Sequence, residues 1–245
     1  MSIYDFTYSS YSQLISNIVK NGYTFTNYHQ HENVVNPCII CHDVDFDVEK
    51  ALNLAKFEID KHSLQTTYFI LINTDFYNVF SNTVNQMIKE MIKMGHEIGL
   101  HFDETCYPSH CLSIVEHIKK EITLLEQIIE HPVKAVSMHR PSKTTLEANL
   151  VIPCAVNRYS KLFFNDFKYL SDSRHNWKED VESIVFSKQY SKLHISTHPI
   201  WFTEQKESCK DKLISFVNSA NMKRYESMNN NFSNLDKILY LDDVR

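Results

Sequence analysis

The chain has 245 residues, 43% of them hydrophobic and 22% charged, a composition that excludes a disordered or membrane-spanning class. Three glycines are too few for a loop that cradles nucleotide phosphates, because such loops need several positions of close backbone approach or positive φ. The net charge of −5 and the lack of a Lys/Arg run exclude an electrostatic footprint for nucleic acid,.

The N-terminal stretch MSIYDFTYSSYSQLISNIVKNG has no basic segment leading into an apolar core, and no apolar run reaches about 18 residues,. A cytoplasmic protein with no membrane span and with reduced cysteines is the expectation. The first clear element is PCIICHDVD, an apolar strand. Cys38 and Cys41 fall three apart on it and face opposite sides, so the CxxC reads as buried thiols and not as a metal or redox pair,. Asp47 then caps a helix in which Val48, Leu52, Ala55 and Ile59 recur at helical spacing,.

TTYFILI is the next strand. A helix over Thr83 to Met94 stops at Gly95 as its C′ residue, and HEIGLHF follows as a strand,. A longer amphipathic helix is predicted from Leu112 to Glu130, then a strand in KAVSMH. VIPCAVN, KLFFNDF and SIVFS are apolar but less regular; KLHIST is a clear strand, and a last helix covers Glu207 to about Tyr225. No repeat or linker divides the chain, so one domain over 1–245 is expected. Strands alternating with helices imply parallel pairing through crossovers, either a doubly wound sheet or a (β/α) barrel. In both, reactive groups gather at the carboxyl ends of strands.

Those ends carry the chemistry. Alternation puts Asp43 and Asp45 on one side of the first strand,, and two carboxylates so placed repel unless a cation or proton compensates. The HEIGLHF strand brings His101 and Asp103 to a common face, while His96 faces the other way and reads as scaffold,. His139-Arg140-Pro141 closes the next strand and Thr197-His198-Pro199 the last. A cation held by His and carboxylate ligands with one open position, a carboxylate base and a histidine acid form a set suited to amide or ester hydrolysis.

At these residues the sequence resembles the polysaccharide deacetylases, the NodB-homology enzymes of carbohydrate esterase family 4, with motifs spanning about 39–198. GHEIGLH, HDVD, HRPS, SDSRHNW and ISTHP carry the resemblance. It implies a distorted (β/α) barrel in a single domain, Asp43 as general base, Asp45 and His101 as ligands of a divalent ion, in all expectation zinc, and His198 as general acid. It further implies Arg140 as the residue that orients Asp43, Asp172 as the partner of that arginine, and Trp177 as a wall of the acyl pocket. Trp201, close to His198, is a candidate stacking surface for a sugar.

The resemblance departs at Thr105, where a second ligand histidine usually stands, and at Asn176, where an aspartate is common. His139 is the first candidate for the third ligand, followed by Asp103 and His110. The departures are shared with divergent deacetylase-like proteins of surface polysaccharide biosynthesis, which implies a hydrolase that removes acetyl or formyl from an amino sugar or sugar conjugate. The alternatives are a non-sugar amide as substrate, or a catalytically degenerate carbohydrate-binding protein.

Overall fold

The computed structural model describes residues 4–107 and 113–244. Helix α1 (Tyr8–Lys20), capped by the Thr7 side chain, and the short strand β1 (Thr24–Thr26) come first, both where the apolar patterning above assigns nothing. They are followed by β2 (Pro37–Val44), α2 (Val48–His62), β3 (Thr67–Leu71), α3 (Asn82–Lys93), β4 (Glu97–Asp103), α4 (Ile114–Ile129) and β5 (Ala135–His139). The less regular second half contributes α5 (Lys143–Glu147), the two-residue β6 (Val156–Asn157), a π-helical turn over Leu162–Asp166, β7 (Lys168–Ser171), α6 (Val181–Ser187) and β8 (Leu193–Thr197).

All strand pairs are parallel, in the order β6-β5-β4-β3-β2-β8-β7, with β1 on the first half of the β2 edge that β3 occupies further on. The fold is the distorted (β/α) barrel named above, a single curled sheet that stays open between β6 and β7 among the described residues. Side chains bridge that opening. Arg158, one residue past β6, reaches Asp43 at 2.8 Å, Phe164 stacks on Tyr169 of β7 at 4.8 Å, and His194 of β8 donates from Nδ1 to the Phe163 carbonyl at 3.2 Å.

Every residue of β2 is buried because both of its faces are covered,. Outward, Val44, Tyr68, Ile70, Ile98, Leu100, Phe102 and Val136 pack against Leu52 and Ala55 of α2, Ile88 and Met91 of α3, and Ile118, Ile122 and Leu125 of α4. Inward, Ile39, Cys41, Phe69 and Ala135 meet Tyr28, Phe163 and Phe167 and fill the lower half of the barrel. Gly99 permits this filling: a Cβ there would lie 2.5 Å from the Phe69 ring and 2.9 Å from the Ala135 carbonyl. Gly95, at φ +91, ends α3 in the left-handed C′ conformation its position predicts,. Along β2 the inward residues run from apolar Ile39 and Cys41 to Asp43, so the interior changes from dry to charged towards the strand ends.

Two compact units are distinguished, Met1–Glu204 and Gln205–Arg245. The second holds α7 (Cys209–Asn229), capped by Ser208, with Tyr225 donating to the Leu239 carbonyl at 3.1 Å. Among the described residues no helix is long and apolar enough to cross a membrane.

Candidate active site

Three side chains meet at the strand ends of β2, β4 and β5. His101 Nε2 lies 3.1 Å from Asp45 Oδ1, His139 Nδ1 lies 3.3 Å from His101 Nε2, and His139 Nδ1 lies 3.4 Å from Asp45 Oδ1. A tetrahedron with metal–ligand bonds of about 2.0–2.1 Å has edges of about 3.3–3.4 Å, so the three donor atoms already sit at the corners of one tetrahedral face. His101 donates from Nδ1 to the Ser137 carbonyl at 3.3 Å, which fixes its tautomer and leaves the Nε2 lone pair for a cation. Burial alone would raise the Asp45 carboxyl, but the imidazoles of His101 and His139 packed on it hold it well below the usual carboxylate range. These residues fit a divalent ion. Of the other candidates for a third ligand, Asp103 is engaged as described below and His110 lies outside the described residues.

Asp43 sits one inward position below. It is not held by Arg140, as the motif order implies. The arginine on it is Arg158, which donates from both terminal nitrogens, at 2.8 Å to Oδ1 and 3.0 Å to Oδ2. Ser137 and Ser196 add a hydroxyl donor each, both at 3.2 Å. The guanidinium is itself buried, 5.4 Å from the Phe69 ring centroid and 4.9 Å from that of Tyr159,. Burial would raise the Asp43 carboxyl, but Arg158, with His101 and His198 adding to it, brings it down to about 2.

Arg140 turns the other way. Its backbone is left-handed (φ 48), its side chain is 71% exposed, and it donates to Asp103 Oδ2 at 2.8 Å. The physical reason is position: the left-handed residue directly after β5 carries its side chain out over the rim, while the barrel interior beside Asp43 is already filled by Arg158. Thr105 supplies no metal donor; its backbone N–H and hydroxyl both bind Asp103 Oδ1, at 2.9 and 2.6 Å.

Asp172 partners His198 instead of Arg140. It accepts from His198 Nδ1 at 2.5 Å and from the His198 backbone N–H at 3.1 Å, which β7 and β8 allow by lying side by side. The His198 Nε2 edge then points towards Asp45 Oδ2, 3.8 Å away. Burial would lower the His198 pKa, but the Asp172 carboxylate overrides it and raises the value to about 9. Trp177 stacks on Phe6 at 6.1 Å, and Trp201 meets the His175 ring at 5.3 Å. Both indoles keep under a tenth of their surface exposed, so neither presents a broad face to solvent.

His96 faces the helices, accepting from the Thr66 N–H on Nδ1 and donating from Nε2 to the Ala55 carbonyl, 3.2 Å each. On that same outer side, His42 joins Glu58 of α2 (3.0 Å) to Thr197 of β8 (2.6 Å), directly behind Asp43 and His198. The alternation that marks Asp43 as inward marks His42 as outward, and a buried outward histidine needs such partners.

No protein-family model and no curated protein matches the chain. Among solved structures it is similar to a chitin deacetylase of the fungal pathogen Colletotrichum lindemuthianum, at 14% identity and a TM-score of 0.42, covering 81% of this chain and 86% of that one. A family 4 carbohydrate esterase of Bacillus anthracis gives 13% and 0.42, with 84% of each chain covered. A polysaccharide deacetylase of Bacillus cereus gives 16% and 0.44, covering 86% of this chain and 61% of that one.

Proposed function

We propose that the protein is a metal-dependent amide hydrolase that removes an acetyl or formyl group from an amino sugar or sugar conjugate, as in surface polysaccharide biosynthesis. The observation that carries the reading is the tetrahedral face formed by Asp45, His101 and His139, with Asp43 below it and His198 beside it. The chain is read as one catalytic domain, with all these residues in its first compact unit.

A divalent ion held by those three donors, zinc in this proposal, supplies Lewis acidity at the acyl carbonyl and acidifies water. Asp43 takes the proton as the water oxygen bonds to the acyl carbon. His198, its Nδ1 fixed on Asp172, delivers a proton from Nε2 to the amine nitrogen as the carbon–nitrogen bond breaks, so that a carboxylic acid and an amine leave. Arg158, Ser137 and Ser196 keep Asp43 ionised and aimed. Trp177 and Trp201 are assigned to the substrate side.

One observation favours a second reading, a carbohydrate-binding protein without turnover. Asp43 accepts four hydrogen bonds and its carboxyl is held near 2, which is a weak proton acceptor at neutral pH. Metal analysis and turnover of N-acetyl and N-formyl amino sugars separate the two. The hydrolase reading expects about one zinc per chain, loss of activity on chelation with recovery on zinc, and an Asp43→Asn protein that keeps its metal and its fold but loses roughly 100-fold or more in kcat. Metal-free protein whose melting ignores chelators overturns it, as does Asp43→Asn with undiminished turnover.

A further inference from the structure

Arg140 is left without a task once Arg158 occupies Asp43, and its setting suggests one. It follows His139 directly, and its left-handed backbone (φ 48) carries the side chain out over the rim. Among the described residues its hydrogen-bond partner is Asp103, a carboxylate that is only 5% exposed. That carboxylate is fixed in turn: Thr105 binds its other oxygen twice. The next acid along the chain, Glu104, accepts from the Ser142 N–H and the Thr145 hydroxyl, and so is also engaged.

The Asp103 oxygen that receives Arg140 lies 3.8 Å from His139 Nε2. Guanidinium and candidate metal ligand therefore flank one carboxylate oxygen, at the Nε2 edge of His139 and at the same rim of strand ends as the donor triad. A guanidinium has five N–H donors in a rigid plane. Here one nitrogen is anchored on a buried, pre-ordered carboxylate while most of the side chain faces solvent. An anchored fork loses little further freedom when an oxyanion docks on its outer edge, which is the arrangement suited to phosphate or carboxylate.

We infer that Arg140 is a specificity residue that receives an anionic group of the substrate, so that the preferred acylated sugar carries a phosphate or a carboxylate. This rests on the hydrolase reading above.

The test uses the zinc-loaded full chain and three substrates: neutral N-acetylglucosamine, an N-acetylglucosamine phosphate and an N-acetylated amino uronic acid. For wild type, kcat/KM for at least one anionic sugar exceeds that for the neutral one by about 10-fold, the range of a charge-assisted hydrogen-bonded pair. The phosphate and carboxylate arms tell which anion is read. Arg140→Gln collapses the anionic-to-neutral ratio, with the loss in KM and not in kcat, and Arg140→Lys recovers part of it, as a point charge without the fork. Equal treatment of neutral and anionic sugars by wild type, or an unchanged ratio in Arg140→Gln, overturns the inference while leaving the hydrolase reading intact. If no sugar amide is cleaved at all, that failure belongs to the hydrolase reading, and calorimetric titration of the phosphate sugar then decides on Arg140. Binding no tighter than that of the neutral sugar, or binding indifferent to Arg140→Gln, overturns it.

Discussion

Two aspartate–arginine pairs stand at the same end of the barrel, and they differ in almost every physical respect. Asp43 and Arg158 are both buried and joined by two hydrogen bonds; Asp103 and Arg140 share one, and that arginine is largely in solvent. In the first pair neither charge can return to water without the fold opening, so the two residues act as a fixed unit. In the second, water and salt screen the attraction, and the arginine can turn its outer N–H groups to another anion at little cost. The same two residue types thus serve as a clamp inside and as an adaptable arm at the rim.

The contrast is sharpest in stability. Arg158→Met strands the buried Asp43 charge and is expected to cost about 3–5 kcal/mol in denaturant unfolding; a cost no larger than that of the matching change at Arg140 breaks the comparison. A third carboxylate shows what burial does when no arginine is present. Glu121 of α4 is 3% exposed and is held by the neutral donors Tyr107 and Asn73. Burial pushes it up to about 7 despite those two bonds, whereas Asp43 beside Arg158 lies at about 2.

The sign follows. A carboxyl whose folded pKa is raised contributes stability that is complete below its unfolded pKa of about 4.5 and is lost as pH rises through about 7,. Glu121→Gln, which keeps an acceptor for both donors, removes that slope and stabilises the protein at pH 8 by about 1–3 kcal/mol. Unfolding curves at pH 5 and pH 8 that fall equally for both proteins would count against the raised value. The smallest effect is expected at the rim, where Arg140→Met shifts unfolding by about 1 kcal/mol or less, because Thr105 still holds Asp103, and by less in high salt,.

The placement of Asp43, Asp45, His101, His139 and His198 was legible in the sequence because each sits at a strand end, where a period of two decides which face it takes. The strand order is not: nothing local shows that β7 lies beside β8, where His198 is the donor on Asp172, so the arginine partner that the motif resemblance implies for Asp172 has no check in the sequence. Arg158 belongs to no motif: it follows a two-residue strand in an irregular stretch and reaches Asp43 across the open side of the sheet. The sequence carries no clear signal for it, because Asn157, Ser160 and Lys161 stand beside Arg158 and make the stretch read as a solvated loop. Helix α1 does carry a signal, Tyr11, Leu14, Ile15 and Ile18 at helical spacing behind the Thr7 cap, whereas the three residues of β1 are too few to show a period.

The opening between β6 and β7 bears on motion. A barrel wall held there by side chains, with no backbone ladder between those two strands among the described residues, opens without breaking strand hydrogen bonds,. Arg158 lies in that stretch, so a breathing excursion of the wall withdraws the countercharge from Asp43. The unlaced join of the barrel and the grip on its central carboxylate are therefore coupled, and slow hydrogen exchange through residues 156–169 would be the mark of an Asp43 kept continuously in place.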